Sequence, residues 1–164
     1  YLRNVYETRF EYIRKRIPNA CIGSDVIVGF PGEDELEFTE TYNFLKSIDI
    51  SYLHVFSYSE RSNTSSILLN KKVSKIIKNE RSKILRELSN SKKLEFYKKN
   101  VNNHHNVLFE TENKNGYIYG YTENYVRVKS LWSNSKQNKI LNCYLDGIDR
   151  DFNCIAEQAV ELKV

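Results

Sequence analysis

The distribution of apolar and polar residues predicts alternating helices and strands over the first part of the chain. An apolar stripe at helical spacing indicates a helix over residues 5–17, which Pro18 ends because the residue before a proline disfavours helical backbone. The stripe consists of Tyr6, Phe10, Ile13 and Ile17. The uninterrupted apolar run Val26–Val28 then indicates a strand covered on both faces, as in the parallel sheets of α/β proteins.

A second helix and a second strand follow and complete a predicted βαβ unit. The acidic residues 33–35 suit the first turn of a helix, where the helix dipole favours negative charge. The apolar stripe of this helix consists of Phe38, Tyr42 and Leu45. Residues 52–58, rich in aromatic and β-branched side chains, form the next strand. Because such a crossover makes the two strands parallel, the loops 29–33 and 57–64 should leave the same sheet edge, where α/β folds bind ligands.

The first of these loops has the composition of a tight turn with an accessible backbone. Gly29 has no side chain, and Pro31 and Gly32 suit the two central positions of a type II turn. The backbone should therefore be open to a ligand, and a plain connection between strand and helix is the alternative. In the second loop, Arg61 is a candidate for binding a carboxylate or phosphate, with a solvated surface arginine as the alternative.

The rest of the chain changes in charge and in periodicity, which predicts an α/β part followed by an all-β part. A strongly basic helical segment is followed, from His104 onward, by short alternating segments. We predict a mixed α/β part over residues 1–73, a basic linker helix over 74–100 and a small closed β barrel over 101–164. The five barrel strands are predicted at residues 106–111, 117–121, 125–129, 140–145 and 153–160.

One face of this barrel has the composition of a surface for single-stranded RNA. In the third strand, burial of Val126 and Val128 turns the intervening side chains outward. These are Tyr125, Arg127 and Lys129, and the neighbouring strand adds Tyr117, Tyr119 and Tyr121. Aromatic rings stack on unpaired bases while cations hold phosphates, which predicts RNA binding. The alternative is that the tyrosines only pack on a sheet face.

Composition limits the functional classes without deciding between them. The net charge of +4 favours an anionic partner, and 40% hydrophobic residues suffice for a sizeable core. The three cysteines are far apart, so we expect reduced thiols in a cytoplasmic setting. The three histidines show no metal-ligand spacing. Since no apolar run approaches the ~20 residues of a membrane span, we expect a soluble cytoplasmic protein with no membrane partner. We also expect a monomer.

Two segments resemble the radical S-adenosylmethionine methylthiotransferases. They are Ile17–Glu33, IPNACIGSDVIVGFPGE, and Tyr52–Ser59, YLHVFSYS, in this order. The C-terminal half of these enzymes runs from the last βα units of a partial TIM-like radical SAM barrel, through a basic linker helix, into a small five-stranded OB-like RNA-binding barrel, the TRAM domain. All 164 residues fit that layout. Gly120–Val128, GYTENYVRV, resembles the branch that modifies N6-threonylcarbamoyladenosine beside the tRNA anticodon.

The resemblance also implies roles for individual residues. S-adenosylmethionine would lie beside the loop between the first strand and the second helix, with two weaker candidates elsewhere. The implied cofactor residues are Gly29, Phe30, Pro31, Gly32 and Glu33, and the weaker candidates are Asp25 and Arg61. The TRAM barrel would hold the anticodon arm of tRNA. The implied RNA-binding residues are Tyr121, Asn124, Tyr125, Arg127 and Lys129.

The enzymes of this family use two 4Fe–4S clusters, and this chain departs from them at that point. One cluster cleaves S-adenosylmethionine to a 5′-deoxyadenosyl radical that abstracts hydrogen from the carbon to be thiomethylated, and the second is involved in sulfur delivery. The C-x-x-x-C-x-x-C motif and the N-terminal cluster-binding domain have no counterpart in this sequence. We therefore expect no catalytic residue and no metal ligand in the chain itself, and we expect it to be the C-terminal part of a longer enzyme.

The resulting hypothesis is a tRNA methylthiotransferase that converts N6-threonylcarbamoyladenosine at position 37, beside the anticodon, to its 2-methylthio derivative. One alternative is an RNA-binding remnant that has lost catalysis. Another is a related methylthiotransferase that acts on isopentenyladenosine in tRNA or on a ribosomal protein. An ordinary βα-barrel enzyme with acid–base chemistry is disfavoured because Asp25 and Glu33 have no obvious partner histidine.

Overall fold

The computed structural model describes residues 3–160, which form three α-helices and seven strands in two compact units. The helices are α1 (Arg3–Arg16), α2 (Glu35–Ser47) and α3 (Lys75–Asn100). The strands are β1 (Gly23–Val28), β2 (Tyr52–Ser57), β3 (His104–Phe109), β4 (Tyr117–Thr122), β5 (Arg127–Leu131), β6 (Ile140–Ile148) and β7 (Cys154–Val160), with short 3-10 helices at Ser65–Leu68 and Asn134–Lys136. One unit ends at Lys93 and the other begins at Leu94, within α3. None of the described helices combines the length and apolar composition of a membrane span.

The first unit contains the predicted βαβ arrangement. Strands β1 and β2 pair in parallel, with Gly23 opposite Tyr52 and Val28 opposite Ser57, so the loops after both strands leave the same edge. Helices α2 and α3 pack their apolar side chains on one face of this sheet. The buried cluster consists of Val28, Phe38, Leu45, Ile48, Ile50, Leu53, Leu85 and Leu88. The prediction of two parallel strands joined by a helix is therefore confirmed.

The opposite face of the two-stranded sheet is exposed, which corrects the prediction that the first strand is covered on both faces. Ile27 and Phe56 lie side by side on this face and are 60% and 53% exposed. Asp25 and His54 are their exposed neighbours along the two strands. The helices of the first unit pack on the other side, so the apolar run Val26–Val28 is buried only at alternate positions.

Helix α1 also differs in part from the predicted amphipathic helix. Tyr6 and Phe10 pack against the core, but the two later members of the predicted stripe, Ile13 and Ile17, are exposed. Polar contacts hold this end of the helix instead. The Arg14 guanidinium donates to the carbonyl oxygens of Pro18 (2.6 Å) and Ala20 (2.9 Å), in the loop that leads to β1. These bonds fix the end of α1 without burying its last apolar residues.

The second unit is a five-stranded closed barrel, as predicted. The strand order is β3-β4-β5-β7-β6, in which β5 and β7 pair in parallel and all other neighbours are antiparallel. Alternate side chains fill the interior. They include Val107, Phe109, Ile118, Val128, Cys143, Leu145 and Cys154. The Tyr97 hydroxyl, from the last turns of α3, accepts a hydrogen bond from the backbone N–H of Arg127 (3.0 Å).

The third barrel strand begins two residues later than predicted, at Arg127. Tyr125 lies in the preceding turn with φ of 64°, and its N–H donates to the Thr122 carbonyl (3.0 Å). Thr122 N–H in turn donates to the Val126 carbonyl (3.0 Å), which closes the turn. Tyr125 therefore does not share a strand face with Arg127 and Lys129, and this part of the prediction is wrong.

Candidate functional site

The loop Gly29–Glu33 forms the tight turn that its composition predicts. The Glu33 N–H donates to the Phe30 carbonyl (3.0 Å), and Gly32, the third residue of the turn, has φ of 97°. A positive φ at that position is the mark of a type II turn and favours glycine. Gly29 also has a positive φ, 75°, at the point where β1 ends. The backbone conformation therefore favours glycine at both positions.

The accessible side of this loop lies at Gly32 rather than at Gly29. A Cβ atom at Gly29 would collide with Cγ of Lys78, because the side chain of this α3 residue lies against the loop. At Gly32 no heavy atom lies within 4 Å of the corresponding position. A cavity of about 480 Å³ borders the loop there, lined by residues 30–33 together with side chains of α1 and α2. The open side of the loop is therefore its turn and not the end of the strand.

Glu33 holds the two ends of this loop together and is itself held by Arg81 of α3. Its Oε1 accepts from the Gly29 N–H (3.0 Å) and from Arg81 Nη1 (2.6 Å). Arg81 Nη1 also donates to the Glu33 carbonyl (3.0 Å), and its guanidinium lies 5.1 Å from the ring centre of Phe38. The Arg81 side chain is 6% exposed and that of Glu33 is 17% exposed. The ion pair between Arg81 and Glu33 therefore holds the conformation of the loop from its buried side.

The sequence reasoning missed Arg81 because it considered the basic helix only as a linker between the two parts of the chain. A signal was present, since Arg81 lies four residues before Leu85 and therefore on the buried side of α3. A buried arginine needs a carboxylate or several carbonyl oxygens as partners. The run of acidic residues after Gly32 supplies both kinds of partner.

The loop after β2 lies beside the glycine loop at the same edge of the sheet. The Tyr58 N–H donates to the Val28 carbonyl (2.8 Å), and the Tyr58 ring packs edge-on against Phe30 at 5.1 Å. Lys78 Nζ donates to the Tyr58 carbonyl (3.2 Å). Two further predicted cofactor residues, Asp25 and Arg61, are exposed and take no part in the hydrogen bonds that join Gly29, Glu33 and Arg81. The cofactor roles of all these residues stay a prediction.

The two predicted cations of the barrel face are each bound to a carboxylate. The Arg127 guanidinium makes a two-point ion pair with Glu110 and lies 4.5 Å from the ring centre of Tyr121. Burial by itself would lower the pKa of Arg127, but the hydrogen bond with Glu110 raises it on balance. Lys129 Nζ donates to Asp149 Oδ2 (3.0 Å), and this hydrogen bond raises the pKa of Lys129. A phosphate at this face has to compete with both carboxylates.

The aromatic part of the predicted RNA face is more accessible than its charged part. Tyr125 is 72% exposed, and its ring centre lies 6.0 Å from that of Tyr121. Asn124 is used within the protein, because its Oδ1 accepts from Thr122 Oγ1 (2.6 Å) and its Nδ2 donates to Asn100 Oδ1 (2.8 Å). Tyr121 and Tyr125 therefore form an exposed ring pair, which suits stacking on unpaired bases. The RNA-binding roles of these residues stay a prediction.

The described residues offer no iron–sulfur ligands and no activated thiol. Among residues 3–160, no group of three His, Cys, Asp or Glu side chains lies close enough to hold a metal ion. All three cysteines are unpaired, which confirms the expectation of free thiols. Burial raises the pKa of Cys143 to about 11 and that of Cys154 to about 12, so both stay protonated at neutral pH.

Comparison with known proteins places these features in a family. No family model matches the chain. The chain is 45% identical over 129 residues to the threonylcarbamoyladenosine tRNA methylthiotransferase MtaB of Aquifex aeolicus, which covers 79% of this chain and 30% of that protein. It is 39% identical over 133 residues to the protein of the same name from Bacillus subtilis, covering 78% of this chain and 29% of the relative.

A more distant relative carries a different activity in its name. The ribosomal protein uS12 methylthiotransferase RimO of Alkaliphilus oremlandii is 33% identical over 152 residues, covering 88% of this chain and 33% of the relative. The chain spans about 30% of the length of the curated relatives that it matches. By this homology, the chain belongs to the radical S-adenosylmethionine methylthiotransferase family.

Proposed function

We propose that this chain is the C-terminal part of a tRNA methylthiotransferase that acts on N6-threonylcarbamoyladenosine beside the anticodon. One observation carries the proposal. The glycine loop Gly29–Glu33 has its backbone shaped by two positive φ angles and a buried ion pair, in a chain 45% identical to a relative named for this reaction. An RNA-binding remnant without catalysis would have no need for a loop that is built and supported in this way.

The uncovered face of the first unit supports a longer protein. Parallel sheets are normally covered on both faces, yet β1 and β2 expose Ile27 and Phe56 on one side. The first unit would therefore be the last part of a partial TIM-like barrel, in which this face turns toward the barrel interior. The relatives are about three times as long as the matched region, which leaves room for the remaining strands.

Within such an enzyme, this chain would bind and orient substrates rather than hold the clusters. The described residues do not fit an iron–sulfur cluster, so the clusters would be held by another part of the protein. S-adenosylmethionine would lie against the turn at Gly32, where the backbone is free of side chains and Glu33 is fixed by Arg81. The barrel would hold the anticodon arm through the exposed rings Tyr121 and Tyr125, with Arg127 beside Tyr121 and Lys129 beside Tyr117.

The relatives' names favour a tRNA substrate over a ribosomal protein. The two relatives named for threonylcarbamoyladenosine in tRNA are 45% and 39% identical to the chain, whereas the one named for ribosomal protein uS12 is 33% identical. A relative from Syntrophus aciditrophicus named for dimethylallyladenosine is 34% identical. The aromatic barrel face, rather than an apolar one, also suits a nucleic acid partner.

The proposal is tested by mass spectrometry of tRNA nucleosides. The full-length protein is expressed in a bacterial host that lacks its own threonylcarbamoyladenosine methylthiotransferase. We expect the 2-methylthio derivative to reappear, and we expect Gly32→Asn to reduce it strongly, because its side chain enters the open space at the turn while asparagine tolerates positive φ. Calorimetric titration of the purified full-length protein with S-adenosylmethionine should show a matching loss of affinity.

The control for this experiment is a substitution far from the loop in the first unit. Arg86→Met lies on the exposed side of α3 and should leave both readouts unchanged. If only the 2-methylthio derivative of isopentenyladenosine reappeared, isopentenyladenosine would replace N6-threonylcarbamoyladenosine as the substrate. Absence of both tRNA products from a well-folded full-length protein would refute the proposed reaction.

A further inference from the structure

A cavity opens in the barrel wall next to Tyr117 and Lys129, two residues of the predicted RNA face. Strands β5 and β7 pair in parallel only at Val128 with Cys154 and at Lys129 with Ile155. Beyond these pairs, a cavity of about 490 Å³ lies between the ends of β5 and β7. This volume is within the range of pockets that bind small organic ligands. We call it the Lys136 cavity, after one of the side chains that line it.

The walls of the Lys136 cavity are largely apolar and aromatic. Tyr117, Leu131 and Ile155 line it and are all partly exposed. Tyr117 is held in place because Lys129 Nζ lies 4.3 Å from the centre of its ring, and Lys129 is itself bound to Asp149. An aromatic ring fixed in this way offers a stacking surface at little conformational cost. The walls therefore suit a flat, partly apolar ligand.

Lys136 supplies a positive charge that no carboxylate of the described residues neutralises. Its Nζ donates to Ser130 Oγ (2.8 Å) and to the Leu131 carbonyl (3.0 Å), which are both neutral groups. Among the described residues, no carboxylate forms an ion pair with Lys136. Burial lowers the pKa of Lys136, as expected for an ammonium group that is partly removed from water. An ammonium group has three N–H donors, so one remains for a ligand.

The other charges of the cavity favour a neutral ligand group over a phosphate. Asp149 is already bound to Lys129, but Glu157 is exposed and also lines the cavity. A carboxylate beside the opening disfavours an anion inside it. A flat group with a carbonyl acceptor satisfies Lys136 without this repulsion. Unpaired RNA bases are recognised in this way, by stacking on aromatic rings and by hydrogen bonds to their edges.

We propose that the Lys136 cavity binds one unpaired guanine or uracil of RNA, which stacks on Tyr117 and accepts a hydrogen bond from Lys136 at its O6 or O4 keto oxygen. This inference rests on the proposed RNA role of the barrel and adds a base-reading site to it. The location agrees with the general use of OB-like barrels, which bind oligonucleotides on the face of their second and third strands and adjacent loops. Here these strands are β4 and β5.

The test is an NMR titration of the isotope-labelled 164-residue chain with three probes. The probes are 5′-GMP, 5′-AMP and inorganic phosphate. GMP and AMP stack equally well and carry the same phosphate, but only guanine has a keto oxygen. We expect GMP to shift the amide signals of Ser130, Leu131 and Ile155, AMP to bind at least about 5-fold more weakly, and phosphate to leave these signals in place.

Variants separate stacking from hydrogen bonding. Tyr117→Leu should weaken GMP binding by about 5-fold or more, since loss of base–aromatic stacking has effects of this size. Tyr117→Phe keeps the aromatic ring and should bind GMP with the affinity of the parent protein. Lys136→Met should abolish the preference for GMP over AMP. Lys98→Met is the matched control, because it removes one positive charge from an exposed site on α3 and should change neither affinity. Unfolding curves of each variant establish that the barrel is intact.

The outcomes distinguish this inference from the proposed function. Equal binding of GMP and AMP would refute the keto preference, and equal shifts with phosphate alone would show an anion site instead. If full-length protein binds tRNA and Lys136→Met binds it equally well, the base-reading site is refuted while the proposed function stands. If the parent protein fails to bind tRNA but GMP shifts the cavity signals, the RNA role fails and the nucleotide site stands.

Discussion

Arg81→Met should destabilise the first unit and loosen the glycine loop, because Glu33 loses the cation that compensates its burial. The Glu33 carboxylate accepts from Arg81 at 2.6 Å and from the Gly29 N–H at 3.0 Å. Methionine keeps most of the apolar stem that packs on Phe38 but supplies no hydrogen-bond donor. The substitution therefore leaves a partly buried carboxylate without its charged partner.

The expected loss is about 3 kcal/mol in the free energy of unfolding. Removing one partner of a buried ion pair costs roughly 3–5 kcal/mol. Glu33 is 17% exposed, and water can replace part of the lost interaction, so the lower end of this range applies. The second ion pair of Arg81, with Glu35, adds little because the Glu35 side chain is 80% exposed.

Urea unfolding followed by circular dichroism measures the global effect, and amide hydrogen exchange measures the local one. The Gly29 N–H, bound to Glu33, should exchange faster in Arg81→Met. The Gly32 N–H donates to the Lys71 carbonyl instead and should change less. Arg86→Met, at an exposed position of the same helix, should stay within about 0.5 kcal/mol of the parent.

The double variant Arg81→Met with Glu33→Gln provides a second check. Glutamine carries no charge, so the uncompensated carboxylate disappears and at least about 1 kcal/mol of the lost stability should return. A stability for Arg81→Met equal to that of Arg86→Met, with unchanged exchange at Gly29, would contradict the assignment of Arg81 as the support of the loop.

Three further predictions concern the barrel. Burial alone would raise the pKa of Asp149, but hydrogen bonds from Asn153 and Lys129 lower it on balance from its ordinary value of 3.8. The ionised carboxylate therefore stabilises the fold fully at a pH above 3.8. This stability is lost as the pH falls through the lowered pKa. Asp149→Asn should therefore flatten the loss of thermal stability below about pH 4, and an unchanged acid profile would contradict this. In tRNA filter binding, Tyr125→Ala should weaken the free energy of binding by ~1–3 kcal/mol and leave the dependence of affinity on salt concentration unchanged. Arg127→Ala should reduce the slope of log affinity against log salt concentration by less than one unit, because Glu110 already neutralises Arg127. A reduction by a full unit would show that the ion pair between Arg127 and Glu110 breaks when tRNA binds.

The sequence by itself determined those features that depend on local chemistry. Apolar spacing over a few residues located the helices and strands, and alternation over about 60 residues predicted a closed barrel of five strands, which the structure confirms. The turn at Pro31 and Gly32 also followed from the sequence, since the backbone preferences of proline and glycine act within four residues. The family resemblance came from the segment that contains this turn together with residues 52–59, and the relatives confirmed it.

The structure decided where charged side chains find their partners. Arg81 binds Glu33, which lies 48 residues earlier, and Arg127 binds Glu110, which lies 17 residues earlier. Sequence spacing did not reveal either pair, because the partners meet only after strands and helices have packed. The RNA face was consequently predicted with free cations, whereas both of its cations are bound to carboxylates. Lys136, which pairs with no carboxylate of residues 3–160, attracted no attention in the sequence.

Exposure was likewise decided by tertiary structure. The run Val26–Val28 predicts a strand that is covered on both faces of its sheet. Whether the second face is covered depends on segments far away in the chain, and Ile27 on that face is exposed here. Tyr125 was placed on a strand face by alternation, but hydrogen bonds between Thr122 and Val126 put it in a turn. Alternation locates a strand to within a few residues, and because side chains point to opposite faces with period two, a small shift at its end decides where a side chain points.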